Sequence, residues 1–77
     1  MPVPTWQTVQ EIEVNAAGVI NEGFIGVYVI NIGAAAGTFN GQNLPAGVAK
    51  NFPFTGRPYP ATAYNATGTN FLITIFK

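Results

Sequence analysis

Cysteine, histidine, serine and aspartate are all absent from this 77-residue chain. Without Cys, neither a disulfide framework nor a thiolate zinc site can form. Without Ser, Cys or His, no hydroxyl or thiol nucleophile can be paired with an imidazole base. Charge is scarce as well. Three basic residues (Lys50, Arg57, Lys77) balance three acidic ones (Glu11, Glu13, Glu22), and charged residues make up 8% of the chain. An average soluble domain carries roughly 25%. A neutral chain with so few cations has no electrostatic footprint for nucleic acid, so nucleic acid is not expected as a partner. A metal would have to rely on three scattered glutamates. No metal site and no cofactor is therefore expected, and this inventory argues against an enzyme.

Apolar residues are plentiful at 48%, with nine Gly, six Pro, eight Asn and eight Thr. The length allows one small domain at most. Domains of this size are marginal alone and usually add disulfides, a metal or a partner subunit. Disulfides are excluded and metal is unsupported, so oligomerisation is the brace that remains. Zero net charge also removes the self-repulsion that keeps solitary proteins apart. The competing reading is a self-sufficient small β domain, and the assembled one is preferred.

Met1 to Trp6 shows no basic region followed by an apolar one, so no secretory signal is expected. The most apolar stretch, Gly23 to Phe39, is about 17 residues, the lower bound for a membrane helix. Asn31, Gly26, Gly33 and Gly37 interrupt it. It makes a poor transmembrane helix, and a membrane is not the expected partner.

No segment sustains a helical period, and Gly or Pro interrupts every window. The pattern predicts an all-β fold. Residues 1–5 read as an extended N-terminal arm, because Pro2 and Pro4 fix their own φ and push their neighbours toward extended geometry. Residues 6–77 read as a single β domain. Trp6 to Val14 alternates, with Ile12 and Val14 on one face and Val9, Glu11 and Glu13 on the other. Asn15-Ala16-Ala17-Gly18 reads as a turn with Asn first and Gly fourth. Val19-Ile20 reads as a short strand and Asn21-Glu22-Gly23 as a second turn.

Phe24 to Ile32 is the strongest strand, apolar on both faces, as in a strand covered on both sides. In so small a chain, another subunit is expected to supply one cover. Gly33 to Gly37 reads as a flexible connection. Asn40-Gly41 is a strong hairpin signal, since both central residues of a type I′ turn need positive φ. Gln42-Asn43-Leu44 is the return strand. Leu44-Pro45-Ala46-Gly47 reads as a turn with Pro second and Gly fourth. Val48 to Phe54 is the next strand, and Pro53 marks it as an edge or a bulge. Thr55 to Pro60 is a loop and Ala61 to Tyr64 a short strand. Asn65-Ala66-Thr67-Gly68 repeats the earlier turn, and Asn70 to Phe76 closes the chain as a strand. The sum is six to seven short strands in a small antiparallel sandwich or barrel.

Several groupings invite a chemical reading. Glu11 and Glu13 share a strand face, and paired carboxylates serve as acid and base in glycosidases. Two solvated charges on a wet face is the preferred reading, since no second cluster supports a cleft. Lys50 and Arg57 lie near Phe52, Phe54 and Tyr59, an arrangement that suggests a stacking platform for single strands. Core aromatics beside two ordinary surface charges is preferred. Arg57-Pro58-Tyr59-Pro60 is the most unusual local feature. Flanking prolines stiffen the loop, and a rigid Tyr59 suits an interface anchor. The alternative is a Tyr that folds back onto its own core, and the two readings weigh equally. Asn65-Ala66-Thr67 matches a glycosylation sequon, discounted in the absence of a secretory signal.

Asn31-Ile32-Gly33, the run Thr38 to Gly47 and on to Phe52, and Tyr64 to Ile73 together resemble small all-β proteins of bacteriophage structural modules. The shared order is strand, Asn-Gly turn, Leu-Pro-x-Gly turn, strand, then a closing strand. The resemblance covers about half the chain and rests on turn chemistry. It implies a virion component of head decoration, vertex or spike type, with no catalytic residue to carry over.

The sequence therefore predicts a non-enzymatic structural protein of a virus particle, assembling with copies of itself or with other capsid proteins. Pro2, Pro4, Trp6, Tyr28, Arg57 and Tyr59 are the expected contact residues. Extended arms suit the role because they can add to a neighbour's sheet edge. Two other readings are weighed: a carbohydrate- or receptor-binding sandwich stacking through Trp6, Tyr59 and Tyr64, and a small membrane-associated virion protein using Gly23 to Phe39.

Overall fold

The computed structural model of the protein describes residues 9–77. Eight strands and no helix occur among the described residues. They are β1 (Val9–Val14), β2 (Ala17–Ile20), β3 (Gly26–Asn31), β4 (Gly37–Phe39), β5 (Gln42–Leu44), β6 (Ala49–Phe52), β7 (Thr62–Asn65) and β8 (Phe71–Phe76). The first sheet runs β1-β8-β3-β6 and the second β2-β7-β4-β5. Every pairing is antiparallel. The all-β class is as the sequence indicates, but the strand count is eight rather than six or seven. Pro2, Pro4 and Trp6, and with them the expected arm, lie outside the described residues.

The additional strand is β4, the outgoing arm of the Asn40-Gly41 hairpin, and β2 begins two residues before Val19 because a turn does not close. Asn15-Ala16-Ala17-Gly18 was expected to reverse the chain. Instead, only Asn15 and Ala16 separate β1 from β2, and the two strands belong to different sheets. Gly18 lies within β2, opposite Tyr64 of β7. A Cβ on Gly18 would come within 2.7 Å of the Tyr64 ring. The phenol covers the space that the glycine leaves.

Two further turns sit one residue later than the sequence suggests. The Val48 amide donates to the Pro45 carbonyl at 3.1 Å, so the turn is Pro45 to Val48 and Gly47 is its third residue, with φ at 75°. Likewise the Thr69 amide donates to the Ala66 carbonyl at 2.9 Å, with Gly68 third at φ 83°. The third position of a type II turn requires positive φ, and Gly supplies it without steric cost. That requirement outweighs the mild preference for Gly at the fourth place. The Asn40-Gly41 hairpin forms as expected, with φ of 53° and 75° joining β4 to β5.

β8 shows the clearest alternation. Phe71, Ile73 and Ile75 are buried, while Leu72, Thr74 and Phe76 are half-buried on the opposite face. On β3, Val27, Val29 and Asn31 face inward beside them. Ile20 of β2, Phe39 of β4 and Leu44 of β5 join the same buried cluster, so the core draws on both sheets. The Phe39 and Phe52 rings meet edge to face at 5.4 Å, linking a strand of the second sheet to one of the first. Burying one such side chain contributes about 1.5–3 kcal/mol. β6 ends at Phe52, before Pro53, and is an edge strand. That is where a residue without an amide hydrogen can be tolerated.

Asn31 organises the segment after β3. Its side-chain amide donates to the carbonyls of Ala35 (2.7 Å) and Leu44 (2.9 Å). Its carbonyl accepts from the Gly33 amide (3.0 Å) and the Thr69 hydroxyl (2.8 Å). The Ile32 and Gly33 amides both reach the Asn70 carbonyl, at 2.9 and 3.2 Å. The Gly33–Gly37 connection, expected to be flexible, is therefore tied at both ends. Gly23 to Phe39, weighed above as a membrane helix, instead contains β3 and β4. No helix among the described residues is long and apolar enough to cross a membrane.

Candidate functional site

The register of the first sheet defines its outer face. Glu11, Thr74, Tyr28 and Asn51 form one row across all four strands. Glu13, Leu72, Ile30 and Ala49 form the next. Val9, Phe76 and Gly26 form a third. Tyr28 is 42% exposed at the centre of the sheet, and Ile30, Leu72 and Phe76 are half-buried around it. Strand β3 was expected to be covered on both faces, with another subunit as one cover, and among the described residues it is covered on one. The outer face is apolar along its middle and carries both glutamates on edge strand β1.

Glu11 and Glu13 do share that face, but both are exposed on an open surface. Among the described residues no group of three or more His, Cys, Asp or Glu is placed to hold a metal ion. Glu22 lies in the turn before Gly23. The three cations are dispersed. Lys50 is half-buried on β6, Arg57 is exposed in the loop after Phe54, and Lys77 is exposed at the end of the chain.

The aromatic residues between Lys50 and Arg57 turn inward. The Tyr59 ring stacks on Phe24 at 5.2 Å, with the planes 11° apart, and meets Phe52 at 5.3 Å. Its hydroxyl donates to the Pro53 carbonyl. The backbone fixes the same contact, since the Tyr59 amide donates to the Phe24 carbonyl at 2.8 Å and the Gly23 amide to the Tyr59 carbonyl at 3.0 Å. Of the two readings of Tyr59, the geometry is that of a ring folded onto its own core. Flanking prolines stiffen the loop, but these hydrogen bonds set its direction. Phe54 is left exposed at 68%. No stacking platform forms from Phe52, Phe54 and Tyr59, because two of the three rings are consumed by packing. Of the glycan-stacking trio, Tyr59 packs inward, Tyr64 covers Gly18, and Trp6 lies outside the described residues. Asn65 is exposed, and its side-chain carbonyl accepts from the Thr67 amide at 3.0 Å.

Two clefts mark the described surface. One, of about 330 Å³, is polar and shallow, bounded by Asn15, Gly33, Ala34, Gly68, Thr69 and Asn70. The other, about 140 Å³, is lined by the apolar Ile12, Val19, Ile20 and Ile75 and by the polar Gln10, Asn21 and Lys77. It lies where edge strand β1 of one sheet approaches edge strand β2 of the other. Val19 is 57% exposed beside it. Sequence reasoning missed this cleft. Its only local signal is Val19-Ile20, two adjacent apolar residues on opposite faces of one strand. The Asn31 hub was missed too, although a lone Asn in the most apolar strand of the chain is a signal in itself.

The sequence matches no protein-family model, no curated protein and no solved structure.

Proposed function

We propose that the two sheets face each other as a small β-sandwich, and that the chain is a non-enzymatic structural component of a virus particle. The type is a bacteriophage capsid decoration, vertex or spike protein, acting through contacts between subunits. The sandwich reading rests on the single buried cluster shared by both sheets. The assembly reading rests on one observation above all. Val9, Val19, Tyr28, Ile32, Val48 and Phe54 are large apolar side chains left exposed on a chain with six charged residues. Scattered exposed apolar residues are ordinary. Tyr28 is different, because it stands mid-sheet among Ile30, Leu72 and Phe76, the pattern of a face that awaits a cover. The arm with Pro2 and Pro4, Trp6, Tyr28 and Arg57 supply the contacts. Tyr59 contributes by holding the Arg57 loop against the core rather than by offering its ring.

Light scattering at two concentrations tests the reading. A mass that exceeds 8.1 kDa and grows with concentration is expected. A constant monomer mass at millimolar concentration overturns it. Finding the chain by mass spectrometry in purified virions tests its place in a particle.

A further inference from the structure

We propose that two copies of this chain pair residues 6–12 antiparallel about a two-fold axis at Val9. Each copy then seats its Trp6 ring in the other's cleft between β1 and β2. This rests on the assembly reading above and names the contact.

The cleft comes first. It is a partly open space of about 140 Å³ whose apolar lining is Ile12, Val19, Ile20 and Ile75, with Gln10, Asn21 and Lys77 completing it. An apolar cavity of about 150 Å³ accepts a benzene ring, so the cleft has room for the six-membered ring of an indole, with its polar residues beside the indole N–H. The flanking strands come second. Among the described residues β1 pairs only with β8 and β2 only with β7, so each presents a free main-chain edge beside the cleft. A free edge is a template for another extended segment.

The position of the N-terminal segment argues for the occupant. Residues 1–8 lead directly into β1 at Val9. They contain no Gly, Asn or Asp, so they lack the chemistry of the tight turn needed to double back along their own β1 edge. A second copy can approach that edge without any turn.

Register follows from side-chain parity and charge. In an antiparallel pair, opposed residues share a face. With Val9 opposite Val9, Trp6 lies opposite Ile12, which lines the cleft. Glu11 then faces Gln7 and Glu13 faces Thr5. Full overlap of β1 would set Glu11 opposite Ile12 and so mismatch the two faces, and the face-matched registers nearest to it would set Glu11 against Glu11 or Glu13 of the other copy, where directly opposed like charges are unfavourable. Pro4 has no amide hydrogen and ends the pairing beyond Thr5. The contact is isologous and closes as a dimer.

The full-length chain supplies its own probes. Trp6 is the only Trp, so intrinsic fluorescence reports on that ring alone. Its emission is expected to shift to the blue as concentration rises, in step with the dimer mass. Val19→Lys, at an exposed position, is expected to abolish the shift and leave the β-type circular dichroism intact. Trp6→Ala removes two anchors from each dimer and is expected to raise the dimer dissociation constant about 1,000-fold, the factor for two anchor residues worth about 2 kcal/mol each. Because the chain has no Cys, Val9→Cys is expected to form a disulfide-linked dimer on oxidation, faster than Phe54→Cys does. Emission of a solvated indole at concentrations where light scattering shows an oligomer overturns this contact and leaves the assembly reading standing. Blue-shifted emission independent of concentration also overturns it, since the ring is then held by its own chain. A monomer at every concentration overturns both.

Discussion

The Thr69 hydroxyl donates to the Asn31 side-chain carbonyl at 2.8 Å, joining residues 38 positions apart in the sequence. Both residues are buried. The Asn31 amide uses its two donors on Ala35 and Leu44, and its carbonyl uses its second acceptor site on Gly33. The side chain thus ties the end of β3 to the connection that follows, to β5 and to the turn before β8. Among the described residues no buried side-chain polar atom lacks a partner.

Removing that hub is expected to cost more than removing its partner. Asn31→Leu leaves the Leu44 carbonyl and the Thr69 hydroxyl without the group that satisfies them, a loss of about 3 kcal/mol or more. Thr69→Val leaves Asn31 with three of its four bonds and is expected to cost about 1–2 kcal/mol. Urea denaturation of both single variants and the double variant measures the coupling. Strictly additive losses would show that the two side chains do not act as a unit.

Two glycines with similar phenotypes on paper are expected to separate. A Cβ at Gly37 would fall 2.5 Å from the Phe71 ring and 2.7 Å from the Asn65 backbone carbonyl. The carbonyl cannot move without disturbing β7, so Gly37→Ala is expected to destabilise by about 2–3 kcal/mol. At Gly18 the obstacle is the outer end of Tyr64, a side chain that can swing away. Gly18→Ala is expected to cost about 1 kcal/mol, from displaced packing alone. Thermal denaturation of the pair gives the order, and equal losses would contradict it.

Tyr59 carries its role in the ring and less in the hydroxyl. Tyr59→Ala removes the stack on Phe24 and the contact with Phe52, and about 3 kcal/mol of stability is expected to go with them. Tyr59→Phe retains both rings' contacts and is expected to lose about 1 kcal/mol with the bond to Pro53. Chemical denaturation distinguishes the two. A Tyr59→Ala protein of unchanged stability but weakened assembly would restore the reading of this ring as an interface anchor.

The outer face of the first sheet is expected to behave in the opposite way. Tyr28 is exposed mid-sheet, so Tyr28→Lys should change monomer stability by no more than about 0.5 kcal/mol. If a partner covers this face, the same substitution buries an unpaired charge there and lowers the oligomer mass seen by sedimentation. Sedimentation unaffected by Tyr28→Lys would locate assembly elsewhere on the molecule.

The readable parts of the sequence were those where one residue decides its own backbone. Asn40-Gly41 announces a hairpin because few other pairs tolerate two positive φ values. Phe71, Ile73 and Ile75 announce the buried face of β8 because strand side chains alternate strictly. Pro53 ends β6 because it has no amide hydrogen to give. The parts that escaped depend on residues distant in the chain. Asn15 to Gly18 carries turn chemistry, yet it passes between sheets because Tyr64 is available to cover Gly18 and β7 to pair with β2. Tyr59 sits in a loop stiffened by proline, but its direction is set by Phe24 and Phe52. The cleft at β1 and β2 exists only once the order of strands in both sheets is known.

The amino-acid sequence by itself determined that this protein is built of strands, that no thiol or imidazole chemistry is available to it, and that the chain reverses at Asn40-Gly41. Those properties follow from composition, side-chain period and the φ range of single residues, all of which are local. Only the tertiary structure decided which strands became neighbours, which aromatic rings were spent on the core, and which sheet face and strand edges were left open. Those outcomes turn on contacts between segments tens of residues apart, and their free energies arise only when both partners are already in place.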